Sequence, residues 1–116
     1  MRRGDIHLVD FEPARGSEVD KRRPAIVVSH DAANVTASRF ARGVITVVPL
    51  TSNTARLYPF QVLLPALRTG LLSDSKAQAE QVRAVDIGRI GDRLGLVPAS
   101  LMDQLDDALR LHLDLG

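Results

Sequence analysis

Short apolar runs alternate along this chain with polar breaks that carry glycine or proline. Ile6-His7-Leu8-Val9-Asp10-Phe11 is mostly apolar and stops at Glu12-Pro13, which predicts a first strand. Gly16 to Arg22 is charged and opens on glycine, so it reads as an exposed loop. Ala25 to Val28 is apolar and largely β-branched, the pattern of a buried strand. His30 to Thr36 is read as a loop or a single helical turn, and Ser38 to Gly43 as a basic turn. Val44-Ile45-Thr46-Val47-Val48-Pro49-Leu50 is the strongest strand and is expected at the centre of a sheet. It runs straight into the hydroxyl-rich loop Thr51-Ser52-Asn53-Thr54.

The second half continues the pattern. Tyr58 to Pro65 predicts a strand between prolines, Gly70 to Asp74 a turn, and Ser75–Ala79 and Gln81–Val85 two further extended pieces. Asp86 to Gly95 holds three glycines and is expected to be irregular, with at most a short strand. Pro98 to Leu113 is the one convincing helix: Pro98 suits a first-turn position. Leu101, Leu105, Ala108, Leu109 and His112 share one face, with Asp103, Asp106 and Asp107 on a solvated opposite face. Many short strands and one late helix predict a mainly β, α+β domain, a small curled sheet or barrel spanning 1–116.

Composition narrows the chemistry. The 116 residues suffice for one domain, and cysteine is absent, so disulfides and thiolate metal sites are excluded. No apolar run approaches a membrane span and no leader is read before Asp5, so a cytoplasmic protein is expected. The net charge of +1 argues against a general nucleic-acid coat. Its distribution is uneven: residues 1–58 hold nine Arg/Lys against six Asp/Glu, and residues 59–116 hold six against eight. A phosphate-bearing partner should therefore prefer surface built from the first half.

The junction Arg23-Pro24 sets a cation at the rim of a rigid strand, beside a loop, which suits chemistry on an anion. Taken alone, the Gly16–Arg22 loop reads first as a solvated loop with a run of charges. His7 is expected to be a packed or interface histidine rather than a catalyst. No His/Asp/Glu set has metal-ligand spacing, so no metal and no cofactor are expected.

A set of short motifs, in order, carries a resemblance. Arg3-Gly4-Asp5-Ile6, Asp10-Phe11-x-Pro13, Gly16-Ser17-Glu18, Arg23-Pro24-x-x-Val27-Val28-Ser29, Val48-Pro49-Leu50-Thr51-Ser52, Tyr58-Pro59-Phe60 and Gln81-Val82-Arg83 together resemble the MazF/PemK family of toxin endoribonucleases. The resemblance runs from about Arg3 to the C-terminal helix. It implies an SH3-like β-barrel with a C-terminal helix, a two-fold homodimer and a cognate MazE-like antitoxin. The implied reaction is metal-free cleavage of single-stranded RNA at a short sequence. Attack by a 2′-hydroxyl would leave a 2′,3′-cyclic phosphate and a 5′-hydroxyl. Matched motif by motif, it implies catalytic roles for Arg23, Thr51 and Glu18, and RNA contacts from Ser17, Lys21, Arg22, Ser52, Asn53 and Arg83. One departure is His7, where family members often carry an aromatic residue, and the absence of Trp leaves few platforms for base stacking.

The chemistry can be weighed independently. Internal RNA cleavage needs a group to take the 2′-hydroxyl proton, a proton for the leaving oxygen, and donors for the charged phosphorane. A guanidinium suits the last task and is a poor base, so proton removal is assigned to Glu18 if the loop brings it close. Thr51, with Ser17 or Ser52, can donate a hydroxyl; without the resemblance Thr51 reads first as a loop residue capping its own backbone, and His30 is the alternative base. Two other classes remain open at this point. One is a gyrase poison of the CcdB type, disfavoured by the ending Leu113-Asp114-Leu115-Gly116; the other is a barrel that binds RNA without cutting it.

Overall fold

The computed structural model describes residues 1–116. Seven strands make one antiparallel sheet: β1 (Asp5–Asp10), β2 (Arg22–Val27), β3 (Val44–Thr51), β4 (Gln61–Leu64), β5 (Ser75–Gln78), β6 (Arg83–Asp86) and β7 (Ile90–Leu96). Three helices accompany them: α1 (Asp31–Phe40), the single turn α2 (Ala66–Thr69) and α3 (Ala99–Leu113). The spatial order is β4-β5-β3-β2-β1-β7, with β6 also paired to β3. β3 is the centre, as its apolar run predicts. One edge pairs with β2, while its first half pairs with β6 and its end with β5. β4 and β7 do not pair, so the sheet curls without closing.

The central strands are covered on both faces, which is why they read as continuous apolar runs rather than alternating ones. Ile6, Ile26, Val48, Leu50 and Leu64 pack with Leu101, Met102, Leu105 and Ala108 of α3. On the other face Val9, Phe11, Ala25, Val27, Ile45, Val47 and Val85 pack with Ala37 of α1. Short α2 sits directly on β7. A Cβ at Gly95 would lie 2.2 Å from the Thr69 carbonyl oxygen, so only glycine permits that approach.

Several expectations need correction. The segment read as a loop or one turn is the ten-residue helix α1. Its alanines favour a helix, but its buried side chains are only Ala37 and the polar Asn34, so it has almost no apolar stripe. Asn34 is fully buried, accepting from Ser29 Oγ at 2.6 Å and donating to the Ser29 carbonyl at 2.8 Å. At the helix start, Asp31 accepts the Arg3 amide at 2.7 Å, which holds its carboxyl below the usual range. β7 is a seven-residue strand rather than an irregular stretch: its glycines fit beside β1, against which two register shifts occur. β4 starts only at Gln61, because Tyr58–Phe60 belong to the preceding loop. On α3, His112 is exposed and Met102 fills the core instead, while Asp106 accepts from Arg3 Nη2 at 2.6 Å. His7 is half-buried with Nδ1 2.9 Å from the Gly91 carbonyl of neighbouring β7.

No helix is long and apolar enough to cross a membrane.

Candidate active site

A cleft of about 500 Å³ opens at the end of the central sheet. Arg23, Leu50, Thr51 and Ser52 line one wall, and Leu72 and Ser73 line another. Strand pairing builds the first wall. Ala25 lies opposite Pro49 at the end of the β2–β3 ladder, and Arg23 and Thr51, each two residues beyond that pair, both line the cleft. Side chains directly opposite share a face of the sheet. The Arg-Pro pair and the threonine that ends the apolar run are 28 positions apart in sequence and neighbours in the fold.

Arg23 is not loose. Its Nε donates to the Asp20 carbonyl at 2.8 Å and its Nη2 to the Asp20 carboxylate at 3.0 Å. These two donors form the side edge of the guanidinium fork, leaving the end edge, Nη1 with the second Nη2 hydrogen, uncommitted. Its side chain is 31% exposed, so the charge is accessible from the cleft. A planar fork with one edge fixed presents two parallel N–H bonds to an anion in a set orientation.

Thr51 is oriented from its own loop. Its Oγ1 accepts the Asn53 amide at 3.2 Å, so its hydroxyl hydrogen is free to donate elsewhere. Backbone capping and availability as a donor are therefore compatible. Asn53 is exposed and spends its Oδ1 on the Ala55 amide at 3.3 Å, continuing the loop. Ser52 is exposed at the cleft.

Glu18 and Arg83 form a second group. Their side chains approach to 3.9 Å, and Arg83 also lies over the Phe11 ring. Gln81 clamps the same loop from below: its Nε2 donates to the Ser17 carbonyl at 3.0 Å and its Oε1 accepts the Val19 amide at 3.2 Å. Glu18 does not line the cleft with Arg23 and Thr51. Lys21 and Arg22 are exposed at the start of β2; Lys21 has a left-handed backbone, φ 64°, and its amide donates to Glu12 Oε1 at 2.6 Å. His30 lies beyond the opposite end of β2, roughly 20 Å of extended chain from Arg23, too far to act as its base.

Three participants escaped the sequence reading. Asp20, three residues before Arg23, was detectable as an acid–base pair across a tight turn. Gln81 was visible only as part of a motif. Lys76, directly opposite Thr51 on β5, gave no signal, because strand pairing alone brings it there.

The profile of a family described as the PemK-like, MazF-like toxin of type II toxin–antitoxin systems matches residues 2–113. The chain is 61% identical over 115 residues to endoribonuclease MazF9 of Mycobacterium tuberculosis, covering 99% of this chain and 98% of that one. The crystal structure of MazF from Deinococcus radiodurans superposes with a TM-score of 0.82 at 30% identity, covering 98% and 96% of the two chains. A MazE–MazF structure from the same organism gives a TM-score of 0.75 at 26% identity, covering 100% and 97%. Over nearly its whole length, therefore, the chain belongs to the PemK-like, MazF-like toxin family of type II toxin–antitoxin systems.

Proposed function

We propose that the protein is an endoribonuclease that cuts single-stranded RNA at a short sequence by internal transfer, without metal. The 2′-hydroxyl oxygen attacks the adjacent phosphorus, the bond to the 5′ oxygen breaks, and that oxygen leaves with a proton. The products are a 2′,3′-cyclic phosphate and a 5′-hydroxyl. The observation that carries this reading is the convergence on one cleft of a guanidinium with a free edge and a hydroxyl with a free hydrogen, Arg23 and Thr51. Both are donors suited to the extra charge of a pentavalent phosphorane. Ser52 adds a further hydroxyl at the cleft. Proton removal goes to Glu18, which reaches the 2′-hydroxyl when the Gly16–Asp20 loop closes over bound RNA. Ser17, Lys21, Arg22, Asn53 and Arg83 contact the strand on either side.

In this reading the protein works in the cytoplasm as a homodimer, and an acidic segment of a MazE-like antitoxin covers the Gly16–Arg23 loop. The charge excess of the first half favours such a segment. The similarity to a mycobacterial endoribonuclease and to a MazE–MazF pair supports the same assignment. The test is RNA incubated with protein in chelator, with end-group mapping, with and without the antitoxin. Cyclic-phosphate ends that disappear when antitoxin is added are expected. Intact RNA, or 5′-phosphate ends, would reject the mechanism.

A further inference from the structure

We propose that Lys76 is a positioning residue for this site, pinning to the floor of the sheet the loop that leaves β3 after Thr51 and carries Ser52. The inference rests on the endoribonuclease reading for its consequence and on geometry for its mechanism. Lys76 is only 7% exposed, rare for an ammonium, and it takes part in no ion pair. Its partners are the Arg56 carbonyl, 2.6 Å from Nζ, and the face of Tyr58, with Nζ 5.9 Å from the ring centroid. Burying a cation without a carboxylate is costly, so folding alone does not account for it.

Its location supplies a reason. Lys76 pairs directly with Thr51 on one side and with Leu63 on the other, so the three side chains share the face opposite the core. From Thr51 the chain climbs through two local turns, Asn53 amide to Thr51 Oγ1 and Ala55 amide to Asn53 Oδ1. It returns to the sheet where the Tyr58 amide donates to Gln61 Oε1 at 3.2 Å. Between these points the Lys76–Arg56 bond is the only hydrogen bond from the loop interior to another element. Without it, residues 52–57 are held at their ends alone, and the Asn53 amide that orients the Thr51 hydroxyl is no longer fixed.

The test uses the full chain. Lys76→Met removes the ammonium and keeps an unbranched stem, and exchanging a buried ion for an apolar group of similar volume is often neutral or stabilising. Lys76→Leu is the second variant. Three readouts are compared with wild type. The first is kcat and KM on a synthetic RNA carrying the mapped cleavage site. The second is the rate of tryptic cleavage after Arg56, which follows local opening. The third is emission from Tyr58, the only tyrosine in a chain without Trp. Expected are a kcat lower by on the order of tenfold to a hundredfold with KM little changed, faster cutting after Arg56, and altered emission. A folded variant with wild-type kcat, or with unchanged cutting after Arg56, overturns the proposal. So does failure of both variants to fold, which would make Lys76 a folding residue. If wild-type protein leaves RNA intact, the endoribonuclease reading falls, while the tryptic arm still decides the pin.

Discussion

At Arg23 the structure turns a charge into an oriented tool. Asp20 takes the side edge of the guanidinium and leaves the end edge uncommitted on a side chain that lines the cleft. A charge that only attracted RNA would need neither the fixed edge nor the neighbouring hydroxyl of Thr51. Arg23→Ala is therefore expected to lower the cleavage rate by about a hundredfold to a thousandfold, the cost of one transition-state donor, or roughly 3–4 kcal/mol. The side chain sits at a loop–strand junction outside both core clusters, so the melting temperature should hardly move, as for surface substitutions within about 0.5 kcal/mol. Arg23→Lys separates attraction from orientation. Lysine keeps the charge and loses the fork, so RNA binding should persist while turnover stays strongly impaired. Near-normal turnover by either variant at saturating RNA would remove Arg23 from the reaction.

Among the elements, the loop from Gly16 to Asp20 and helix α1 divide what a sequence can and cannot tell. The loop was legible because charge and glycine mark it, and Arg23, Thr51 and Ser52 were legible as the ends of apolar runs. Their meeting at one cleft follows from the pairing of β2 with β3, a register that the apolar runs alone do not specify. Glu18 is different: it pairs with Arg83 outside the cleft, a position that depends on the clamp from Gln81, and no local pattern encodes such a tie. If the loop carries Glu18 to the 2′-hydroxyl, Glu18→Gln should lower kcat by on the order of a hundredfold or more, with RNA binding kept. Only a small change in kcat would reduce Glu18 to a partner of Arg83. Helix α1 was missed for a physical reason, since its anchor is a buried amide and not an apolar stripe. Asn34→Ala removes that anchor and leaves the Ser29 carbonyl and hydroxyl with lost partners. A loss of about 1–3 kcal/mol is expected, read as a lower denaturation midpoint with kcat unchanged. A midpoint equal to wild type would show that α1 is held by its alanines.

For the whole molecule, the open sheet leaves a surface that asks for a second copy. β7 ends the sheet order with one long edge unpaired by any strand of its own chain. On β7 itself Leu94 and Leu96 are 38% and 48% exposed, α2, which meets β7 at Gly95, carries the fully exposed Leu67, and the equally exposed Leu72 shares the cleft with Leu94. The Gly95–Thr69 approach holds α2 against β7 and so keeps these leucines on one side of the molecule. Isolated exposed leucines are ordinary, but several gathered at an unpaired strand edge mark an interaction surface. Leu72 and Leu94 also line the cleft, so a partner docked on this edge would extend the site and not merely stabilise the fold. A chain of 116 residues gains most from such burial, and a two-fold contact would place two clefts beside one another. Sedimentation at micromolar concentration is expected to give twice the 12.6 kDa chain mass. Leu67→Glu with Leu72→Glu should shift the protein to the monomer with its helix and sheet content kept, because neither side chain is buried within the chain. Cleavage should fall with the dimer and recover in part as protein concentration is raised. A monomeric wild type that cleaves at full rate would show that each cleft is complete by itself, and a stable dimer in the double variant would place the contact elsewhere.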